Sequence, residues 1–404
     1  TDGSDFTAND VIYTFCRVPK VENSPSSFVI NVRSVVGMSA PDPHTLILKT
    51  AQSHPLLPNE VSNVAVLSAK ANGAGQVEFD RTDCKNAGTY PKTEAFNSGQ
   101  AAIGTGPYKL VQFTKGDRIV MERNDAYWGA KQPWSRVIFR PITSAGPRVA
   151  ALLSGDVDLI ENVPIQDLDR VKANAAYKVV DGLSNRVIYL HFDYIDDQPP
   201  GLDAGGKNVF RDKRVREAIS KAIDRDAIVS RIMGGVAKAA AEMLPPTMFG
   251  ANADAKAAKA DVEGAKKLLA EAGYPNGFSL TLGTPNDRYV NDAKIAQAVA
   301  QMLTRVGIKT SVDAMTAAQF FAKRNKRDFG IWLAGWGADS GDMSSPLKAL
   351  LATPNRDKGM GTTNPGGYSN AKVDELTEKG LATVDDGERA RLFALASKTA
   401  MEDY

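Results

Sequence analysis

GTGPYKLVQFTKGDRIVMERNDAYWG, residues 104–129, is written in hairpin grammar. Leu110-Val111 and Ile119-Val120-Met121 are two strand-like apolar runs. Lys115-Gly116-Asp117 between them supplies the positive φ that a tight reversal needs. Gly104 and Gly106 loosen the approach, and the stretch closes on two aromatics, Tyr127 and Trp128. The spacing predicts two paired strands between Tyr108 and Arg123.

Upstream, Thr7 is placed to cap a short helix that has Asp10 at its third position and stops or turns at Pro19. Residues 39–50, SAPDPHTLILKT, read as a proline-rich turn and then a strand with Leu46 and Leu48 on one face and Ile47 on the other. Residues 71–103 carry few apolar anchors and read as a long loop. Downstream, Val137-Ile138-Phe139 is a strand, a helix begins around Pro147 and ends at Gly155, and Val157 to Ile160 reads as a return to the sheet. That order predicts a parallel crossover. Arg186 to Phe192 alternates as another strand, followed by a polar stretch with Gly and Pro that suits a boundary.

From Asp212 the period changes. Val215, Ala218, Ile219, Ala222 and Ile223 form one apolar helical face, and Arg214, Arg216, Glu217 and Lys221 are assigned to the other. Helices are predicted from Asp226 to Met233, after Asp261, and along Ile295 to Val306; Thr316 with Gln319 suggests a capping box for the next. Strands are predicted at Ser279 to Leu282, at Ile308 to Val312 and at Phe329 to Leu333, with two helices closing the sequence.

The 404 residues exceed a single core, so two or three domains are expected. The 49 basic and 47 acidic residues nearly cancel, and no Lys/Arg run is dense enough to follow a nucleic-acid backbone. No apolar stretch reaches the roughly 18 residues a membrane span requires. Cys16 and Cys84 permit one disulfide or two separate buried thiols.

The 104–129 block resembles the signature of family 5 extracellular solute-binding proteins, which serve peptide and nickel ABC importers. Four further blocks agree in order: Phe6 to Val11, Phe210 to Arg225, Ala265 to Pro275, and Gly335-Trp336-Gly337-Ala338-Asp339. The pattern looks most like the dipeptide- and oligopeptide-binding members. The resemblance implies an α/β fold of the two-lobed periplasmic-binding-protein class II type with an inserted small third domain. Residues 1–103 would be that small domain, 104–192 part of lobe I and 193–404 lobe II, with pieces of lobe I missing from both ends of the sequence. It also favours the Cys16–Cys84 disulfide, because the periplasm is oxidising.

A free peptide carries an ammonium and a carboxylate, and a closing cleft must pair both. The resemblance assigns the ammonium to Asp339 and a side-chain pocket wall to Trp336. The backbone from Gly335 through Gly337 would hydrogen-bond an extended ligand as an added strand. The arginine that oligopeptide binders carry is replaced by Leu333, and 291–294 lacks the basic residue of dipeptide binders; Arg288, with Tyr289, is the nearest substitute. Asn162 is assigned a hydrogen bond from the first lobe. The expected partners are a small peptide or related solute and a membrane permease, with a monomeric carrier exported to the periplasm.

No Gly-x-Ser-x-Gly, His-Glu-x-x-His, Cys-x-x-Cys or phosphate-loop motif is present, and the three histidines fit no catalytic pattern. Asp193, Asp196 and Asp197 lack the glycine and distal glutamate of a calcium loop. The expectation is a carrier without catalysis, cofactor or metal. Its alternatives are a carrier for an opine, a nickel chelate or an oligosaccharide, and a secreted two-domain hydrolase.

Overall fold

The structure, a computed structural model, describes residues 2–21, 28–338 and 340–404. It divides into two compact units, Thr1–Thr143 and Ser144–Tyr404.

In the first unit the helix Ala8–Arg17 starts as its sequence predicts. The Asp10 carboxylate accepts the Thr7 backbone N–H at 2.7 Å and the Thr7 hydroxyl at 3.1 Å. Its other oxygen accepts Ala69 N–H at 2.7 Å, so one residue caps the helix and anchors a distant loop. Ile12, Tyr13 and Cys16 face Ala69, Val77 and Ala87 in a small core. The Cys16–Cys84 disulfide ties the long loop to this helix.

β1 (Val35–Asp42) and β2 (Thr45–Thr50) form an antiparallel pair. Residues 39–42, expected as a turn, belong to β1; the reversal occupies only Pro43 and His44. β3 (Tyr108–Thr114) and β4 (Arg118–Arg123) are the hairpin read from the sequence, with Gly116 at φ 78°. β5 (Arg136–Phe139) pairs antiparallel with β4.

The second unit opens with the helix Ala145–Ser154, closed by Gly155 at φ 80°. The expected strand at Val157 to Ile160 does not form, and the parallel crossover predicted there is absent. Val157 and Ile160 instead pack with Val149, Leu152 and Val171. Burial of the apolar side chains against the preceding helix took the place of strand pairing.

One sheet organises the rest: β6 (Arg186–Phe192), β7 (Leu202–Asp203), β8 (Ser279–Pro285), β9 (Lys309–Met315) and β10 (Ile331–Gly337). The order β6-β10-β8-β7, with β9 also on β8, places β10 between β6 and β8. β8 is parallel to both β9 and β10, each connection running through a helix, Asp292–Arg305 and then Ala317–Asn325. β6 pairs with β10 along its whole length, so segments on both sides of residue 192 share this sheet.

The expected apolar face of the helix Lys213–Ala222 is buried as read, and Asp212 caps it. Arg216 is the exception: it is buried, and its guanidinium donates to the carbonyls of Phe210, Asp403 and Tyr404. Its guanidinium carbon also lies 5.3 Å from the centre of the Tyr194 ring. The helix after Thr316 forms, but the Thr316 hydroxyl bonds the Gln319 side chain. No side-chain cap bond forms at Thr316, and the N–H of the first helical residue, Ala317, goes to the Asp287 carboxylate at 2.7 Å. The helices Ala371–Ala382 and Asp386–Met401 pack on each other and end the chain.

Candidate functional site at the end of strand β10

β10 is an interior strand, buried over Ile331–Ala334, and its alternation sorts side chains to two faces. Ile331 and Leu333 join the main core, while Trp332 and Ala334 join a second cluster with Phe320 and Phe329. Gly335 and Gly337 continue the first face, and Trp336 continues the second.

The β6 ladder reaches Gly337, but β8 pairs with β10 only at Ile331 and Trp332. Beyond Trp332, among the described residues, no strand occupies the other edge of β10. Divergence of neighbouring parallel strands beyond their carboxyl ends is where open α/β sheets accommodate ligands.

Two glycines keep this end of the strand thin. A Cβ at Gly335 would stand 2.7 Å from Ile188 Cδ1 and 2.9 Å from the Tyr289 ring. A Cβ at Gly337 would stand 3.0 Å from an Arg186 guanidinium nitrogen. The Tyr289 hydroxyl donates to the Gly335 carbonyl at 3.3 Å. Asn185 donates to the Ala338 carbonyl at 3.0 Å. Arg288 lies with its guanidinium carbon 5.4 Å from the centre of the Tyr289 ring, within cation–π range.

The loop bearing Arg288 and Tyr289 is set by Asp292, in the first turn of the following helix. One carboxylate oxygen of this buried residue accepts both Arg288 N–H and Tyr289 N–H, at 3.0 and 2.9 Å.

Of the residues singled out from the sequence, Gly335, Gly337, Arg288 and Tyr289 come together here. Trp336 faces the opposite side of β10, where its indole N–H donates to the Ser345 hydroxyl at 3.0 Å. Asn162 is exposed in a left-handed conformation, φ 55°, and its carbonyl accepts from Arg148. Asp339 lies outside the described residues. Arg186, Asn185 and Asp292 were not anticipated. Their signal is positional: Arg186 is opposite Gly337 only because of the β6–β10 register.

His191 lies on β6 directly opposite Trp332 and stacks on its ring at 4.5 Å between centroids. Burial pushes its imidazole pKa down to about 4, so it is neutral at ordinary pH. Among the described residues no group of three His, Cys, Asp or Glu is arranged to hold a metal ion. An open depression of about 660 Å³, bounded by Gly201, Ser279, Thr281 and Lys309, lies at the opposite end of β8 from Tyr289.

A sheet of this order, with helical crossovers and a strand left open at its carboxyl end, has room for a ligand beside β10. The chain belongs to the bacterial extracellular solute-binding proteins, family 5, whose middle-region family model matches residues 1–358. The glutathione-binding protein GsiB of Escherichia coli is 27% identical over 401 residues, 98% of this chain and 72% of that protein. Heme-binding protein A of Haemophilus influenzae is 27% identical over 302 residues, 73% of this chain but 52% of its own length. A dipeptide-binding protein from a Pseudoalteromonas species, solved with Met-Leu, superposes with a TM-score of 0.79 at 21% identity, covering 100% of this chain and 77% of that one. The chain therefore spans between about half and three quarters of these relatives, which are binding proteins by name.

Proposed function

We propose that this protein is the substrate-binding component of an ABC importer, capturing small peptides and delivering them to a membrane permease. The observation that carries the reading is the open edge of β10 at its Gly335–Gly337 end, in a chain of family 5. An extended peptide can add to such an edge through main-chain hydrogen bonds, which accept many sequences.

In this proposal Asp339 pairs with the ligand's ammonium, Gly335 and Gly337 admit its backbone, and Arg288 with Tyr289 receives its other end. Trp336, on the other face of β10, walls a side-chain pocket, and Asn162 adds a hydrogen bond only once the ligand is enclosed. Residues 1–103 act as an inserted small domain, 104–192 as part of the first lobe and 193–404 as the second. Binding stabilises a closed state, and the carrier works as a monomer in the periplasm without catalysing a reaction.

Isothermal calorimetry against di- to pentapeptides tests this reading. Stoichiometric binding is expected, with Asp339→Ala weakening it by about tenfold or more, as loss of a desolvated charge pair does. Peptide hydrolysis, or no heat with any peptide, would overturn it. A non-peptide solute is the second reading, supported because one relative at 27% identity is named for heme.

A further inference from the structure

Residues 145–179 carry a core of their own, in which Val149, Leu152 and Val171 are buried and Val157, Ile160 and Tyr177 pack around them. Among the described residues, no part of the main sheet core comes from this segment. A glycine lies between the two. The π-helical turn Ile228–Ile232 is rooted in the sheet core by Ile228, Ile232 and Met233. Just past it Gly234 has φ 55°, and a Cβ there would stand 2.7 Å from Ile165 Cγ2. The Ile165 methyl thus rests on bare backbone, at a position whose conformation and clearance both suit glycine.

The same turn is tied to the candidate site. The Ile232 carbonyl, at the turn's end, accepts the Asn291 side-chain amide at 2.8 Å. Asn291 belongs to the loop that bears Arg288 and Tyr289; it is left-handed at φ 55° and makes no side-chain cap bond to the helix Asp292–Arg305 that it precedes. We infer that Asn291 is a positioning residue that couples this loop to the seat of Ile165 on Gly234, so that the loop and the docking of residues 145–179 shift together. The amide grips Ile232 and the seat is Gly234, so the link spans a single turn. A molecule bound against Tyr289 then biases that docking as well. The inference concerns the empty protein, so it goes beyond the carrier reading and does not rest on it.

Hydrogen exchange, read by mass spectrometry on the ligand-free 404-residue chain, tests it. Asn291→Gly keeps the left-handed backbone and removes the amide. Exchange should rise about threefold at 288–290 and also at 165–173, the scale of one neutral hydrogen bond. Coupling is reciprocal, so Ile165→Ala should speed exchange at 288–290 by a similar factor. The helix Lys213–Ala222 should keep its wild-type rate in both variants, which shows that the chain is folded.

A side chain at 234 gives a second measurement. Gly234→Ala should push Ile165 off its seat and speed exchange at 165–173, and the double variant with Ile165→Ala should exchange there no faster than Ile165→Ala alone. Additive effects would mean that the two residues do not share a contact, and would overturn the inference. So would an Asn291→Gly chain that exchanges faster at 288–290 but at the wild-type rate at 165–173. Should Asn291→Gly fail to fold, the Ile165→Ala chain decides alone: faster exchange at 288–290 supports the coupling, and an unchanged rate overturns it. Failure of every peptide to bind bears on the carrier reading and leaves these rates unaffected.

Discussion

Asp292 fixes a loop through three backbone N–H groups, those of Arg288, Tyr289 and its own neighbour Ala293. Removing a buried acceptor strands its donors, so Asp292→Ala should lower stability by about 1–3 kcal/mol in urea titration. Amide exchange at 288 and 289 should rise with it. His191 gives a pH prediction. Its pKa is about 4 in the folded protein and near 6.5 when unfolded. Between those values the unfolded chain binds the extra proton, so stability falls as pH drops from about 6.5 and levels off below about 4. The loss attributable to this residue is roughly 3 kcal/mol. Comparing wild type with His191→Gln across pH 3.5–7 isolates it, and identical pH profiles would contradict the assignment. The sequence shows that a histidine lies on a strand; Trp332 against its ring is what keeps it dry.

Among the elements, β10 and its two glycines carry the candidate site. A side chain at 335 would need the space of Ile188 and Tyr289. Gly335→Val should therefore cost about 1–3 kcal/mol through overpacking and displace the Tyr289 hydroxyl from the strand. Thermal unfolding measures the first effect and loss of peptide heat the second. The hairpin, the capped first helix and the amphipathic helix after Asp212 were all legible, because local turn chemistry and periodicity specify them. The segment 157–160 was not. Three apolar residues in four, Val157, Leu159 and Ile160, suit a strand or a packed loop equally, and only the helix beside them decides.

Across the whole molecule, the disulfide and the two-unit division set the pattern of unfolding. Cys16–Cys84 links positions 68 apart within the first unit. By loop-closure entropy such a link contributes about 4 kcal/mol. Reduction, or Cys16→Ser with Cys84→Ser, should lower the melting of the first unit while the transition of Ser144–Tyr404 keeps its temperature. Differential scanning calorimetry reads both. A single transition shifted as one would instead mean that the units unfold together.

By itself the sequence determined the class of fold, the family and most helices and strands, because these follow from short-range patterning and from blocks matched in order. It also singled out Gly335, Gly337, Arg288 and Tyr289. Tertiary structure alone decided that Arg186 joins them, that Trp336 turns to the other face, and that Asp292 and Arg216 spend their charge on backbone groups. Strand register and chain crossing bring together residues more than a hundred positions apart, and no local pattern encodes that distance.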